Sequence, residues 1–321
     1  MVKIPKDKPL HVLSIGTKIL LKDVMDQYLR SLGEVKTFYA SKLSSALESY
    51  LSKRPQIIFC ESSFQEGGVI EFISGIGGID PSADMYFVLA TEQSSDDLVA
   101  LAVELGVDEI LLKPFSTENI HQIVERFLEK RIASDNPWVK ELRAARNSFE
   151  EKRFQEAEEL YSKVAKNHFS NPAVLLECAD FFLRTGNHQV ALTLTEKVLT
   201  DSPDGVRALH IAGLAHRKLG KLKEAAERLL RANRLSPLNS QRNVELADVY
   251  LAQAEEQIAI ALKGDNENSS LLLARARFQL LRREYAAVVN FLDAKKPYLS
   301  EAGKKEADFL VAASKKFGGI R

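Results

Sequence analysis

The sequence predicts a two-part chain: an α/β doubly wound parallel five-stranded sheet followed by an all-α array of paired helices. Three observations carry that expectation. Residues 10–113 alternate short, continuously apolar runs with stretches whose apolar residues recur every three or four positions. From Trp138 onward the strand-like runs stop and every segment has helical spacing. Within this second part Ala157, Ala191 and Ala225 recur every 34 residues, as do Gly186 and Gly220, and Pro203 and Pro237.

The strand-like runs are HVLSIG (11–16), VKTFYA (35–40), QIIFC (56–60), MYFVLA (85–90) and EILLK (109–113). Between and after them, helical spacing covers 17–33, 41–53, 68–77, 94–106 and 116–130. Strands that are apolar throughout belong to a parallel sheet covered on both faces. Ligands of such sheets sit beyond the carboxyl ends of the strands. Gly16, Thr17, Glu61, Thr91 and Lys113 therefore gather around one crevice, and a carboxylate closing the central run IIFCE occupies a site position.

These first 120 or so residues resemble the receiver domain of two-component response regulators. QIIFCE takes the place of the strand that carries the phosphoacceptor aspartate, VLAT the strand that ends in a threonine, and ILLKPF the strand whose lysine precedes a proline. The resemblance implies a phosphorylation pocket, but a degenerate one. Gly16 and Thr17 stand where the family has an acidic pair for Mg²⁺, and Glu61 stands where it has the phosphoacceptor. Mg²⁺ favours carboxylate ligands in octahedral geometry, so most of the basis for metal binding is missing. Phosphoryl transfer would then lack its main charge-neutralising element. Ile110 replaces the family's switch aromatic, and Glu92 follows Thr91 where a small residue is usual. Two readings of Glu61 stay open: a permanent imitation of a phosphorylated aspartate, or a relic that pairs with Lys113.

The 34-residue phrase, in register three times, resembles the tetratricopeptide repeat (TPR). Units fall at 138–171, 172–205, 206–239, a shorter 240–268, and 269 to about 298, with 300–317 as a capping helix. Terminal caps are required because an end repeat would otherwise expose its core. The fourth unit lacks about five residues and any glycine at its inter-helix turn. Either its two helices join tightly, or residues 242–262 form one helix that supports a homodimer. Groove-facing positions implied by the family are Arg146, Phe149, Arg184, Arg207, His210, Leu214, Arg217, Lys218, Leu273 and Arg277. Their excess of guanidinium groups suits a carboxylate-rich protein or peptide, since the arginine fork matches a carboxylate.

Composition limits the remaining possibilities. At 321 residues, 45% hydrophobic and 27% charged, the chain is too long for one typical core and too apolar for disorder. The expected division is 1–132, a linker at 133–137 and 138–321. The start MVKIPKDKPL has no apolar stretch behind it and no run approaches the roughly 18 residues of a membrane span, so a soluble cytoplasmic protein is expected. Cys60 and Cys178 lie far apart in apolar segments and are expected to be buried thiols. Residues 1–130 hold 13 Lys/Arg against 19 Asp/Glu, while the remainder holds 31 against 25. That asymmetry fits docking of the two parts on each other, a different partner for each, or simple variation between two solvated surfaces.

The six histidines show no metal-ligand spacing, and neither a phosphate loop nor a nucleophile elbow is present. The reading is a bacterial-type, non-catalytic signalling adaptor with no cofactor and no metal. Its pseudo-receiver would serve as a docking or dimerisation module and its solenoid would recruit a protein partner. The rivals are a phosphorylation-dependent response regulator with a TPR output and, more distantly, a nucleic-acid-binding solenoid, for which the charge excess is modest.

Overall fold

The computed structural model describes residues 9–16, 29, 34–79, 85–133 and 136–319, with only the backbone of 131–133. Strands β1 (Leu10–Ile15), β2 (Val35–Ala40), β3 (Ile57–Glu61), β4 (Tyr86–Thr91) and β5 (Glu109–Leu112) form one sheet in the order β2-β1-β3-β4-β5. Every pairing in it is parallel. The order reverses beside β1, which opens the crevice at the carboxyl ends of β1 and β3. Helices α1 (Leu43–Lys53), α2 (Val69–Gly75), α3 (Asp96–Leu105) and α4 (Thr117–Ala133) follow successive strands. The helix expected over 17–33 lies outside the described residues except for Leu29, which is buried. A two-residue antiparallel ladder, Ser63–Phe64 with Gly67–Gly68, was not legible in the sequence.

Side-chain alternation explains the continuously apolar strands. Ile58 and Cys60 of β3 join Leu13, Ile15, Phe87 and Leu89 in a core closed by Ala46, Phe72, Leu98 and Leu101. Ile57 and Phe59 point the other way, into a core closed by Ile120, Ile123, Val124 and Phe127 of α4. Both faces are covered, so no strand position is left for a polar alternation.

The rest of the described chain is helical. Pairs α5 (Pro137–Glu150) and α6 (Phe154–Asn167), α7 (Pro172–Arg184) and α8 (His188–Asp201), and α9 (Val206–Lys218) and α10 (Leu222–Leu235) follow the 34-residue phrase. Their turns share one feature: Lys152, Gly186 and Gly220, each 34 residues from the next, take left-handed backbone at φ 62°, 91° and 75°. Glycine adopts this conformation without a Cβ penalty, which is why two of the three turns carry it. Pro172 and the side chain of Asn171 start α7, the latter accepting from the Ala173 and Val174 amides at 3.1 and 3.4 Å. The three pairs enclose one core, including Val164, Cys178, Phe181, Leu209 and Ala212.

The fourth unit is a single helix, α11 (Ser240–Gly264), of 25 residues. It is followed by α12 (Ser269–Leu281), α13 (Tyr285–Lys295), a 3₁₀ turn at Lys296–Tyr298 and α14 (Glu301–Gly318). Arg283 supplies the left-handed turn of the last pair, at φ 62°. Within α11 the equivalent residue is Ala254, which remains helical.

Compactness divides the chain into Met1–Asn243 and Val244–Arg321, not at the expected linker 133–137. The α/β part and the first three helix pairs form one unit because they share buried polar contacts, described below. The second unit has its own core, built from Leu262, Leu272, Ala276, Val288, Leu292 and Leu310. No helix among the described residues is long and apolar enough to cross a membrane.

Candidate functional site

The register of the sheet brings the expected pocket together. Gly16 follows the last residue of β1, Glu61 ends β3 opposite Ala90, and Thr91 ends β4 opposite Leu112. The Lys113 amide donates to the Thr91 carbonyl at 2.8 Å, which ties the ends of β4 and β5. Thr17 lies outside the described residues.

Glu61 dominates the pocket. Its side chain is buried and one carboxylate oxygen accepts from the Lys113 ammonium, itself 19% exposed. The rest of that side chain occupies the space beside Gly16. A Cβ placed on Gly16 would lie 2.4 Å from Glu61 Cδ and 2.8 Å from Oε2, closer than real atoms approach. Gly16 and Glu61 are therefore one arrangement: the extra methylene of glutamate is accommodated only because residue 16 has no side chain. Thr91 is also buried, and its hydroxyl donates to the Gln93 carbonyl at 2.9 Å. Ile110 packs half-buried on the core.

This donor set does not fit Mg²⁺. One carboxylate is present among the described pocket residues, and it is already neutralised by a lysine. The described residues hold no group of three or more His, Cys, Asp or Glu side chains arranged for a metal ion. Cys60, directly before Glu61, has its thiol pushed well above the ordinary range by burial and then by the neighbouring carboxylate. Burial likewise raises Cys178, to about 12. Both are the inert thiols expected from the sequence.

The residues assigned to a peptide groove are distributed differently from the expectation. Arg146 lines a cleft of about 540 Å³ with Arg143, Asn147 and Glu150 of α5, whose opposite wall is Tyr50, Leu51, Arg54, Pro55, Gln56, Ile76 and Met85 of the α/β part. Arg184 binds Asp180 at 3.0 Å, and its guanidinium lies 3.5 Å from where a Cβ on Gly77, after α2, would stand. His210 accepts at 3.3 Å from Arg242. Three positions read as open groove, one from each of the first three repeats, thus lie against the α/β part or against the residues that hold it.

The remaining groove positions are also accounted for. Arg207 is paired with Glu177, and Phe149 packs edge-on against Phe154 and Phe181. Leu214 and Arg217 are half-buried, and Lys218 is exposed. In the second unit Leu273 is 6% exposed inside the apolar core, which corrects its assignment to a binding surface. Arg277 is paired with Glu306.

The contact that holds the α/β part was missed in the sequence. Arg242, near the start of α11, has no solvent exposure, and its guanidinium is bonded to Glu104 of α3. It also donates to the carbonyls of Ala232 and Ser236 at 2.7 and 2.9 Å. Ser236 Oγ and Asn239 Nδ2 each donate to Glu104 at 2.8 Å, so both carboxylate oxygens are satisfied. A sequence signal existed. Arg242 is in 34-residue phase with Val174 and Ala208, both fully buried, so the frame alone places an arginine at an interior position. Such a charge requires a buried counter-ion. Burial first, and then the Arg242 charge, pushes His210 down to about 4.

No protein-family model matches the chain, and no curated protein matches it. Solved structures do. Over its N-terminal portion the chain is similar to the signal receiver domain of a Luxo repressor protein from Vibrio parahaemolyticus, at 18% identity, 40% coverage of this chain, 96% of that one and a TM-score of 0.35. It is similar to the response regulator DrrB, a Thermotoga maritima OmpR/PhoB homolog, at 22% identity, 39% and 54% coverage and a TM-score of 0.34. It is also similar to the first TPR of Spaghetti (RPAP3), solved with the HSP90 peptide SRMEEVD, at 23% identity, 36% and 93% coverage and a TM-score of 0.34.

Two expectations follow from the geometry. Gly16→Asp alone places a side chain and a second carboxylate in space held by Glu61, and destabilises by about 1–3 kcal/mol in urea unfolding. Adding Glu61→Asp recovers part of the loss, giving a coupling of about 0.5–3 kcal/mol in the double-mutant cycle; additive losses would show that the two positions are independent. The second concerns pH. His210 titrates near 4 when folded and near 6.5 when unfolded, so the unfolded chain gains a proton first. Its contribution is complete above pH 6.5 and is lost as pH falls towards 4, on the order of 2–3 kcal/mol. The slope of stability against pH across that window is shallower in His210→Gln.

Proposed function

We propose that the protein is a non-catalytic signalling adaptor of the cytoplasm, in which a phosphorylation-incompetent receiver is carried by a TPR solenoid that recruits a protein partner. The observation that carries this reading is the Glu61 side chain, which fills the space beside Gly16 while paired with Lys113. A receiver that signals by phosphorylation needs a metal held beside its acceptor by acidic ligands. Here the place of an acidic pair is taken by Gly16 and Thr17, and the space beside Gly16 is filled by Glu61. The arrangement favours a fixed state over a switched one. Glu61 supplies, permanently, the negative charge that a phosphoryl group would supply on demand.

The solenoid serves two purposes in this proposal. Arg146, Arg184 and His210 face the α/β part, which acts as a docked module. Recruitment of a partner then falls to the surface that the α/β part leaves uncovered, including the exposed Lys218 at the end of α9. Acidic segments suit that surface because an exposed ammonium attracts an opposite charge.

Incubation of the full chain with a small-molecule phosphodonor and Mg²⁺, followed by intact mass measurement, checks this directly. The expected spectrum contains only the unmodified chain. A stable adduct of one phosphoryl group on the α/β part would favour a phosphorylation-driven regulator instead.

A further inference from the structure

Each regular repeat covers its first helix with its own second helix, and the closest approach is marked by a small residue. Ala145, Ala179 and Gly213 hold this place in the first three repeats and Ala276 in the last, and all four are buried. At Gly213 the fit leaves no room for a methyl group, since a Cβ there would lie 2.6 Å from Leu229 Cγ. Ala247 is the fourth unit's residue in this frame, 34 after Gly213 and 29 before Ala276, and it is exposed. Its missing cover has a structural cause. α11 stays helical through the position of the turn, so its second half cannot fold back on its first.

The two halves of α11 are therefore complementary. The first half of α11 is a first helix without its second, and exposes Val244, Ala247 and Tyr250. The second half is a second helix without its first, and sends Leu262 into the core formed with α12, α13 and α14, with Ile258 half-buried at the edge of that core. Ala247, Leu251, Ala254 and Ile258 follow one another at spacings of four, three and four, so they lie on a single face of α11. In the frame of the earlier repeats Ile258 corresponds to Leu229, the residue that covers Gly213.

We propose that a second copy of this chain supplies the missing cover, with the two α11 helices packed antiparallel about a two-fold axis near Ala252 and Gln253. Ala247 of one copy then meets Ile258 of the other, and Leu251 meets Ala254, twice by symmetry. Each copy completes the fourth repeat of its partner, in the same antiparallel helix pairing that the chain makes within its first three repeats. The interface is self-complementary, as a closed two-fold dimer requires. It does not depend on the adaptor reading, since it rests on α11 alone.

Sedimentation equilibrium of the full chain at micromolar concentration gives twice the chain mass if this is correct. A five-residue insertion between Ala252 and Gln253 that restores the frame, with glycine at the left-handed turn position, lets the two halves pair within one chain and gives a monomer of unchanged helical content. A second variant needs no refolding of the helix. Ala247→Cys with Ile258→Cys places thiols eleven residues apart, about 16 Å along a rigid helix, whereas a disulfide needs Cα atoms within about 7 Å. Mild oxidation therefore yields a covalent dimer on a non-reducing gel only if two copies exchange these halves. A monomeric parent chain, a dimer that survives the insertion, or a cysteine pair that leaves only single chains would each overturn the proposal.

Discussion

A guanidinium wholly removed from water must find its anion inside the protein, and Arg242 finds it in Glu104, 138 residues earlier in the chain. Breaking such a pair by removing one partner strands a buried charge, at a cost of about 3–5 kcal/mol. The pair is also extensively hydrogen-bonded: Ser236 and Asn239 donate to Glu104, while two backbone carbonyls and His210 accept from Arg242. Much else follows from that satisfaction. The α/β part belongs to the same compact unit as the first three helix pairs, and residues that a free solenoid would offer to a ligand lie along the line where the two parts meet.

The pocket at the carboxyl ends of the strands follows the same principle on a smaller scale. Glu61 is a buried carboxylate at the end of a central strand, and it is stable there because Lys113 neutralises it and Gly16 makes room for it. Both sites hold a buried charge in place by pairing it with an opposite one. The acidic balance of residues 1–130 and the basic balance of the remainder meet at Glu104 and Arg242, so the docking option raised by the charge asymmetry has a specific contact behind it.

The fold was largely legible because its signals are periodic. All five strands and the helix pairs fall where apolar alternation and the 34-residue phrase place them, and the missing turn of the fourth unit shows as missing residues. The Glu61 to Lys113 pair was legible too, since strand ends in a parallel sheet converge. The groove was less so. Family positions locate the faces of Arg146, Arg184 and His210, but no local pattern says that another part of the same chain lies against them. Leu273 was misplaced because a leucine on a first helix reads the same whether it faces a ligand or a core. Arg242 carries a clue of its own: its phase with Val174 and Ala208 marks an interior charge, although nothing in the repeat identifies Glu104 as the partner.

The central claim is that the receiver-type part is fixed on the solenoid, and the distance between them measures it most directly. Ser52 and Glu227 are exposed, one on the α/β part and one on α10, and both native thiols are buried, so Ser52→Cys with Glu227→Cys accepts two spin labels selectively. Within each chain, pulsed dipolar spectroscopy is expected to give one narrow distance distribution, unchanged by phosphodonor and Mg²⁺ and broadened when Glu104→Ala is added. A broad distribution in the parent protein, or a distance that shifts with the phosphodonor, would contradict the account.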